Sequence, residues 1–117
     1  MTLITPTPWR RREPPSPPAG GAGAVIGTAI RGRWRLAFVY DGHPRVIDPH
    51  VYGVLSNGSL VLSGCQVGGS SRSGKLPQWK HFELERIEQL DILEEPSRIR
   101  DDYDRDDPQF AKVYAQV

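Results

Sequence analysis

Cysteine occurs once in this chain, as Cys65, so no intrachain disulfide can form. That scarcity excludes a disulfide-stapled secreted scaffold and a cysteine-rich zinc site, and it fits a reducing, cytoplasmic setting. No apolar run reaches the roughly 18 residues of a membrane helix, so no membrane span is expected. Residues 19–30 are apolar but short and dominated by Gly and Ala. Arg10-Arg11-Arg12 upstream gives them a faint signal-peptide look, which the intervening prolines and weak hydrophobicity argue against. Catalytic patterns are missing as well. His43, His50 and His81 show no metal-ligand spacing with carboxylates. Ser70, Ser71 and Ser73 lie in a Gly-rich loop without a nucleophile elbow. Gly21-x-Gly23-x-x-x-Gly27 has the wrong spacing for a dinucleotide fingerprint, and no strand precedes it. Neither an enzyme nor a cofactor is expected.

Net charge is nearly absent, at +1, but the signs are segregated. Residues 1–80 carry ten Lys and Arg against three Asp and Glu, while residues 81–117 carry five against eleven. Such a split reads as a basic binding face with an acidic tail, or as two ordinarily solvated surfaces. The 117 residues form one domain, since a chain of this size buries roughly 60–70% of its unfolded surface around one modest core.

Six of the eleven prolines fall in residues 1–18, beside the Arg triplet. With the glycines that follow, residues 1–23 read as a disordered arm rich in Pro, Arg and Gly. A short helix is predicted over residues 24–32. The period then changes to two: Trp34, Leu36, Phe38 and Tyr40 are large and apolar, with Arg33, Arg35, Ala37 and Val39 between them. That pattern is a half-buried strand with Arg33 and Arg35 on its opposite face. A second strand is predicted over residues 45–55, broken or bulged at Pro49. Asn57-Gly58 signals a hairpin turn, and a third strand covers residues 60–67. Residues 68–77 read as a flexible basic loop. A fourth strand follows at 78–85, and a fifth, short one carries Ile87, Leu90 and Ile92. Residues 24–95 therefore suggest a mainly β fold, a small five-stranded barrel with a helix at its entrance.

Residues 96–117 read as an acidic linker and a C-terminal amphipathic helix. Asp107 and Pro108 have the chemistry of an N-cap and first helical position. Phe110, Val113, Tyr114 and Val117 then follow an i, i+3, i+4, i+7 stripe.

The segment from Tyr40 to Gly53 holds more chemistry than a hairpin needs. Its Asp41-Gly42 turn leads into Arg45, Asp48, His50 and Tyr52 around Pro49. On a regular strand Asp48, His50 and Tyr52 share a face. A guanidinium beside two rings can grip a phosphate and stack a base.

The order of pieces resembles the WYL domain family. It runs from Ala29-Ile30 and Leu36-x-Phe38-x-Tyr40 through Arg45-Val46-Ile47-Asp48-Pro49-His50. The Asn57-Gly58 turn, Leu60-Val61-Leu62 and Lys80-His81-Phe82-x-Leu84-x-Arg86-Ile87 complete it. The resemblance covers residues 24–93 and implies an Sm-like, SH3-type barrel. It places Arg45 at the family's ligand-binding arginine and Lys80 where the family has arginine before the aromatic of strand four. Only the leucine of the eponymous triplet is kept, at Leu60-Val61-Leu62. Family members commonly carry a helix-turn-helix domain upstream, and some 23 low-complexity residues stand there in this chain. The resemblance implies a ligand-sensing or nucleic-acid-binding module of bacterial regulators and phage-defence systems, without enzyme activity.

Each candidate has a bland alternative. Arg45 either binds phosphate or pairs with Asp48 or Glu83 on the surface, and Lys80 is similar. His50 and Tyr52 either stack a base or pack across strands. Tyr40 offers its hydroxyl, although alternation puts its ring in the core. Trp79 is a stacking platform at the rim or a core-edge tryptophan, and Gln66 can read a base edge. Arg31, Arg33, Arg35, Arg72 and Lys75 form a phosphate-tracking patch or a solvated face. Cys65 is expected to be a small buried residue. The leading expectation is binding of a nucleotide or single-stranded nucleic acid through Arg45, His50, Tyr52 and Lys80. The alternative is a protein-interaction or homo-oligomer module built on the C-terminal helix and the barrel edge.

Overall fold

Alternation at Leu36, Phe38 and Tyr40 produces the strand it predicts. In the computed structural model, which describes residues 21–70 and 75–117, all three are buried on one face of β1 (Trp34–Tyr40). Trp34 departs from the stripe and is 39% exposed, with its indole over Gly32. The disordered-arm expectation for residues 1–20 lies outside the described residues.

Helix α1 (Gly21–Gly32) starts earlier than its sequence pattern. It takes in Gly21–Gly23, which composition assigned to the arm. Glycine costs about 1 kcal/mol per helical position, but Gly23 is buried and Ala22 packs against the core. Burial against the sheet offsets the poor propensity. Ile26, Ala29 and Ile30 form the buried stripe at i, i+3, i+4. Arg33, at φ 61°, ends the helix by donating its N–H to the Ile30 carbonyl at 3.2 Å.

Asp41 and Gly42, at φ 54° and 78°, make the tight turn into β2 (His43–Leu55). Both central residues of such a hairpin turn need positive φ, which Asp-Gly supplies. The Asn57-Gly58 turn leads on to β3 (Leu60–Gly69). It is closed by Gly58 N–H donating to the Leu55 carbonyl and by Ser59 N–H donating to Asn57 Oδ1. β4 (Gln78–Glu83) is shorter than predicted, because Leu84–Arg86 forms a 3-10 turn before β5 (Ile87–Pro96).

The fold is mainly β, and all pairings are antiparallel in the order β4-β3-β2-β1-β5. The five-stranded barrel expectation changes in two respects. No ladder joins β4 to β5 among the described residues, so the sheet is open. A sixth strand, β6 (Phe110–Gln116), also joins it.

β6 replaces the predicted C-terminal helix. β2 is thirteen residues long and pairs with β3 along one edge; its other edge serves β1 first and then β6, at Val51–Leu55. A helix of so few residues is marginal alone, whereas this edge offers a backbone ladder. The Asp107-Pro108 signal has a different use: Asp107 Oδ1 accepts the Gln109 N–H at 2.9 Å, an Asx turn instead of a helix cap. Phe110–Gln116 is therefore part of the sheet.

The core lies between α1 and the inner face of the sheet. Helix residues Ile26 and Ile30 meet Leu36, Phe38, Ile47, Tyr52, Leu62 and Phe82, and Val117 arrives from beyond β6. No helix among the described residues is long and apolar enough to cross a membrane.

Candidate functional site

A strand period of two brings Arg45 and Ile47 to the inner face of β2, but Arg45 lies at its open end, beside the Asp41-Gly42 turn. It is only 5% exposed. Its Nη1 donates to Gln66 Oε1 and its Nη2 to the Tyr40 carbonyl, both at 3.2 Å. Nε is buried with no partner. The guanidinium carbon lies 5.8 Å from the Tyr40 ring centroid and 6.0 Å from that of Phe82. Among the described residues no carboxylate pairs with it. The alternative of a surface Arg paired with Asp48 or Glu83 does not apply, since those acids pair with Arg35 and Arg86.

Gln66 is fully buried and fixed at its other end, where Nε2 donates to the carbonyls of Gly68 and Ser70 at 3.0 and 2.8 Å. Its amide oxygen faces Arg45 and its amide nitrogen the backbone, so Gln66 holds the arginine in place. The sequence suggested a base-edge reader at Gln66; its pairing with Arg45 emerges only where the fold brings β3 alongside β2.

Lys80 pairs with Gly64 across β3 and β4 and stands close enough to Arg45 for their charges to interact. Burial, and then Arg45, push the Lys80 ammonium below its ordinary pKa. Tyr40, Asp41, Arg45, Lys80, His81 and Phe82 line a recess of about 310 Å³. Asp41, the acid at its rim, is ion-paired with Arg86. The Tyr40 hydroxyl accepts the Glu83 N–H at 3.0 Å, which ties the ring to β4.

His50 and Tyr52 do not join this recess. The register slips between Pro49 and Val51, so the bulge expected at Pro49 exists and His50 is its extra residue. The bulge breaks the face-sharing expected of Asp48, His50 and Tyr52. Tyr52 turns into the core, 1% exposed, with its hydroxyl unpartnered and its pKa pushed up to about 12 by burial. His50 turns to the outer face, fully buried against Trp79 and Tyr103 at 4.7 and 5.1 Å. Its Nε2 accepts the Arg100 N–H at 3.0 Å, so Nδ1 carries the proton and donates to the Asp48 carbonyl at 2.8 Å. Burial holds the imidazole below its ordinary pKa. The histidine pins the segment after β5 to β2 through both ring nitrogens.

Trp79 is half-buried on the outer face, and its Nε1–H donates to Asp102 Oδ2 at 3.0 Å. With Tyr103 it walls a second cleft, of about 440 Å³, that also includes Lys80 and His81. Tyr103 was missed because it sits in an acidic run that reads as linker. The expected basic patch is dispersed: Arg31 and Arg33 are exposed at the α1–β1 junction, and Lys75 is exposed before β4. Arg35 is bound to Asp48 at 2.8 Å and Glu95 at 3.3 Å. Arg72 lies outside the described residues. Cys65 is buried as expected, and burial pushes its thiol pKa up. No cluster of potential metal ligands occurs among the described residues.

Compared with known proteins, the chain matches no family model and no curated protein.

Proposed function

We propose that this domain binds a phosphate-bearing ligand, a nucleotide or a single-stranded nucleic acid, in the recess of Arg45 and Lys80. One observation carries the reading: a guanidinium that is 95% buried, has no carboxylate partner among the described residues, and keeps Nε unpaired. Leaving a charge of that kind uncompensated costs several kcal/mol, and a fold retains it where an anion completes the site. The neighbouring Lys80, depressed first by burial and then by Arg45, raises the local positive potential further, and a bound phosphate would favour its charged form. Arginine supplies the directional hydrogen bonds and lysine the mobile point charge. The resemblance to the WYL domain family, with a barrel-like sheet and a ligand-binding arginine at Arg45, is part of this proposal. A bacterial regulatory or phage-defence setting comes with that resemblance. The oligomer reading loses its main support, because its apolar helix stripe belongs to β6.

Calorimetry with inorganic phosphate and nucleoside monophosphates, beside fluorescence polarisation with labelled single-stranded oligonucleotides, tests the reading and separates its two ligand sources. Binding should weaken with salt and fall at least about tenfold, 1.4 kcal/mol, in Lys80→Gln and Arg45→Met. Undetectable binding at low salt, or equal binding by both variants, would sink it.

A further inference from the structure

The recess at Arg45 has a neighbour of different chemistry. Lys80 and His81 line both it and the 440 Å³ cleft on the outer face of β4, so the two adjoin at that edge strand. The cleft volume falls within the roughly 300–1,000 Å³ of small-molecule sites. Its floor is a cross-strand row, Val51–Ser63–His81, set by the ladders of β2, β3 and β4. Ser63 is 7% exposed, and its hydroxyl makes no hydrogen bond among the described residues. Ser63 Oγ keeps some contact with solvent, so it opens to the cleft it lines, where a polar ligand can reach it.

The walls define what that ligand looks like. Trp79 and Tyr103 stand near-parallel, 25° apart, with ring centroids at 6.3 Å. His50, behind them, contacts both edge-on, and Asp102 fixes the indole through its N–H. Such braced rings make a preorganised stacking surface. The rim is acidic. Asp104 and Asp107 each commit Oδ1 to a backbone N–H of their own turns, at 2.9 Å, and line the cleft. Their remaining oxygens only accept hydrogen bonds. A flat ring carrying two adjacent donors suits them. Among the nucleobases, guanine alone presents two neighbouring donors, N1–H and N2–H2, on one edge. Adenine and cytosine set a donor beside an acceptor, and uracil sets one donor between two acceptors. A lone guanidinium also offers paired donors but leaves Arg45 and Lys80 unanswered.

We infer that the cleft is a guanine-selective base site, with the nucleotide lying across the β4 edge. The base stacks on Trp79 and Tyr103, its donor edge meets Asp104 and Asp107, and its phosphate reaches Lys80 and Arg45. This rests on the anion reading of the Arg45 recess and names the ligand that spans both.

Calorimetry on the full chain tests it with the 5′-monophosphates of guanosine, adenosine, cytidine and uridine, and with ribose 5-phosphate. Guanosine monophosphate should bind at least tenfold tighter than the rest. The Asp104→Asn/Asp107→Asn double variant keeps its Asx turns but turns acceptors into mixed donor-acceptor amides, which suit adenine. Its preference should move from guanine toward adenine, while ribose 5-phosphate binding stays or improves. Trp79→Leu should lower all four nucleotides toward ribose 5-phosphate. Equal binding of all four nucleotides and ribose 5-phosphate overturns the base site but leaves the phosphate reading standing. A guanine preference unchanged in the double variant overturns the role of the carboxylates. Binding of none of the five overturns both readings.

Discussion

Gln66 Oε1 accepts a hydrogen bond from Arg45 Nη1 at 3.2 Å, and both residues are buried. The amide is itself anchored to the Gly68 and Ser70 carbonyls, so the guanidinium is oriented by a group that carries no charge. A carboxylate in that position would neutralise the arginine. A neutral acceptor aims it and leaves its charge available. Gln66→Leu should therefore weaken phosphate binding about tenfold, 1.4 kcal/mol, although Arg45 and Lys80 remain. It should also lower stability by about 1–3 kcal/mol. Calorimetry with inorganic phosphate and urea denaturation measure the two effects. Unchanged affinity would remove Gln66 from the site.

Asp48 is fully buried and depends on Arg35, whose Nε lies 2.8 Å from Oδ1, while Oδ2 has no partner. Arg35→Ala strands that carboxylate and should cost about 3 kcal/mol. The figure sits at the low end for a broken buried pair because the Arg35 side chain is 31% exposed. Asp48→Asn keeps an acceptor without the charge and should cost about 1 kcal/mol. Urea midpoints compare them; equal losses would contradict the asymmetry.

His50 gives the fold a pH dependence. Its imidazole titrates below the ordinary value, chiefly because it is buried, so the unfolded chain takes up a proton more readily than the folded one. Stability is full above about pH 6.5 and is lost as pH falls from there through the depressed folded pKa. A proton on Nε2 would also face the Arg100 N–H that Nε2 now accepts. The melting-temperature advantage of the native chain over His50→Asn should shrink between pH 7.5 and about pH 5. A constant gap over that range would count against the argument.

β6 approaches β2 where a side chain is absent. A Cβ on Gly53 would overlap the Lys112 carbonyl and come within 3.0 Å of the Val113 Cα. Gly53→Val should push β6 away at a cost of about 1–3 kcal/mol. Faster amide exchange across Phe110–Gln116, with β3 and β4 still protected, is the expected signature. Protection of β6 equal to that of the native chain would show that the approach tolerates a side chain.

Local pattern was legible where one residue type has one structural use. The Leu36, Phe38, Tyr40 stripe, the Asp41-Gly42 and Asn57-Gly58 turns and the bulge near Pro49 all follow from alternation or from backbone chemistry. Signals with two uses misled. Asp107-Pro108 caps a helix or makes an Asx turn, and Phe110 to Val117 fits a helical stripe or a strand. An open edge of β2 decided both. The same limit applies to the site: Arg45 and Lys80 were named from the sequence and meet at one recess. The bulge separated His50 from Tyr52.

The sequence by itself determined the strand periods, the turns and the supply of cationic and aromatic groups, since these depend on neighbours along the chain. The tertiary structure decided which groups face each other. Arg45 meets Gln66 across 21 residues, and His50 meets Arg100 across 50. Such pairings depend on register, on a one-residue slip and on which sheet edge stays open. A one-residue slip turns a side chain to the opposite face, so the chemistry of the Arg45 recess is written in the sequence but its assembly is settled by packing.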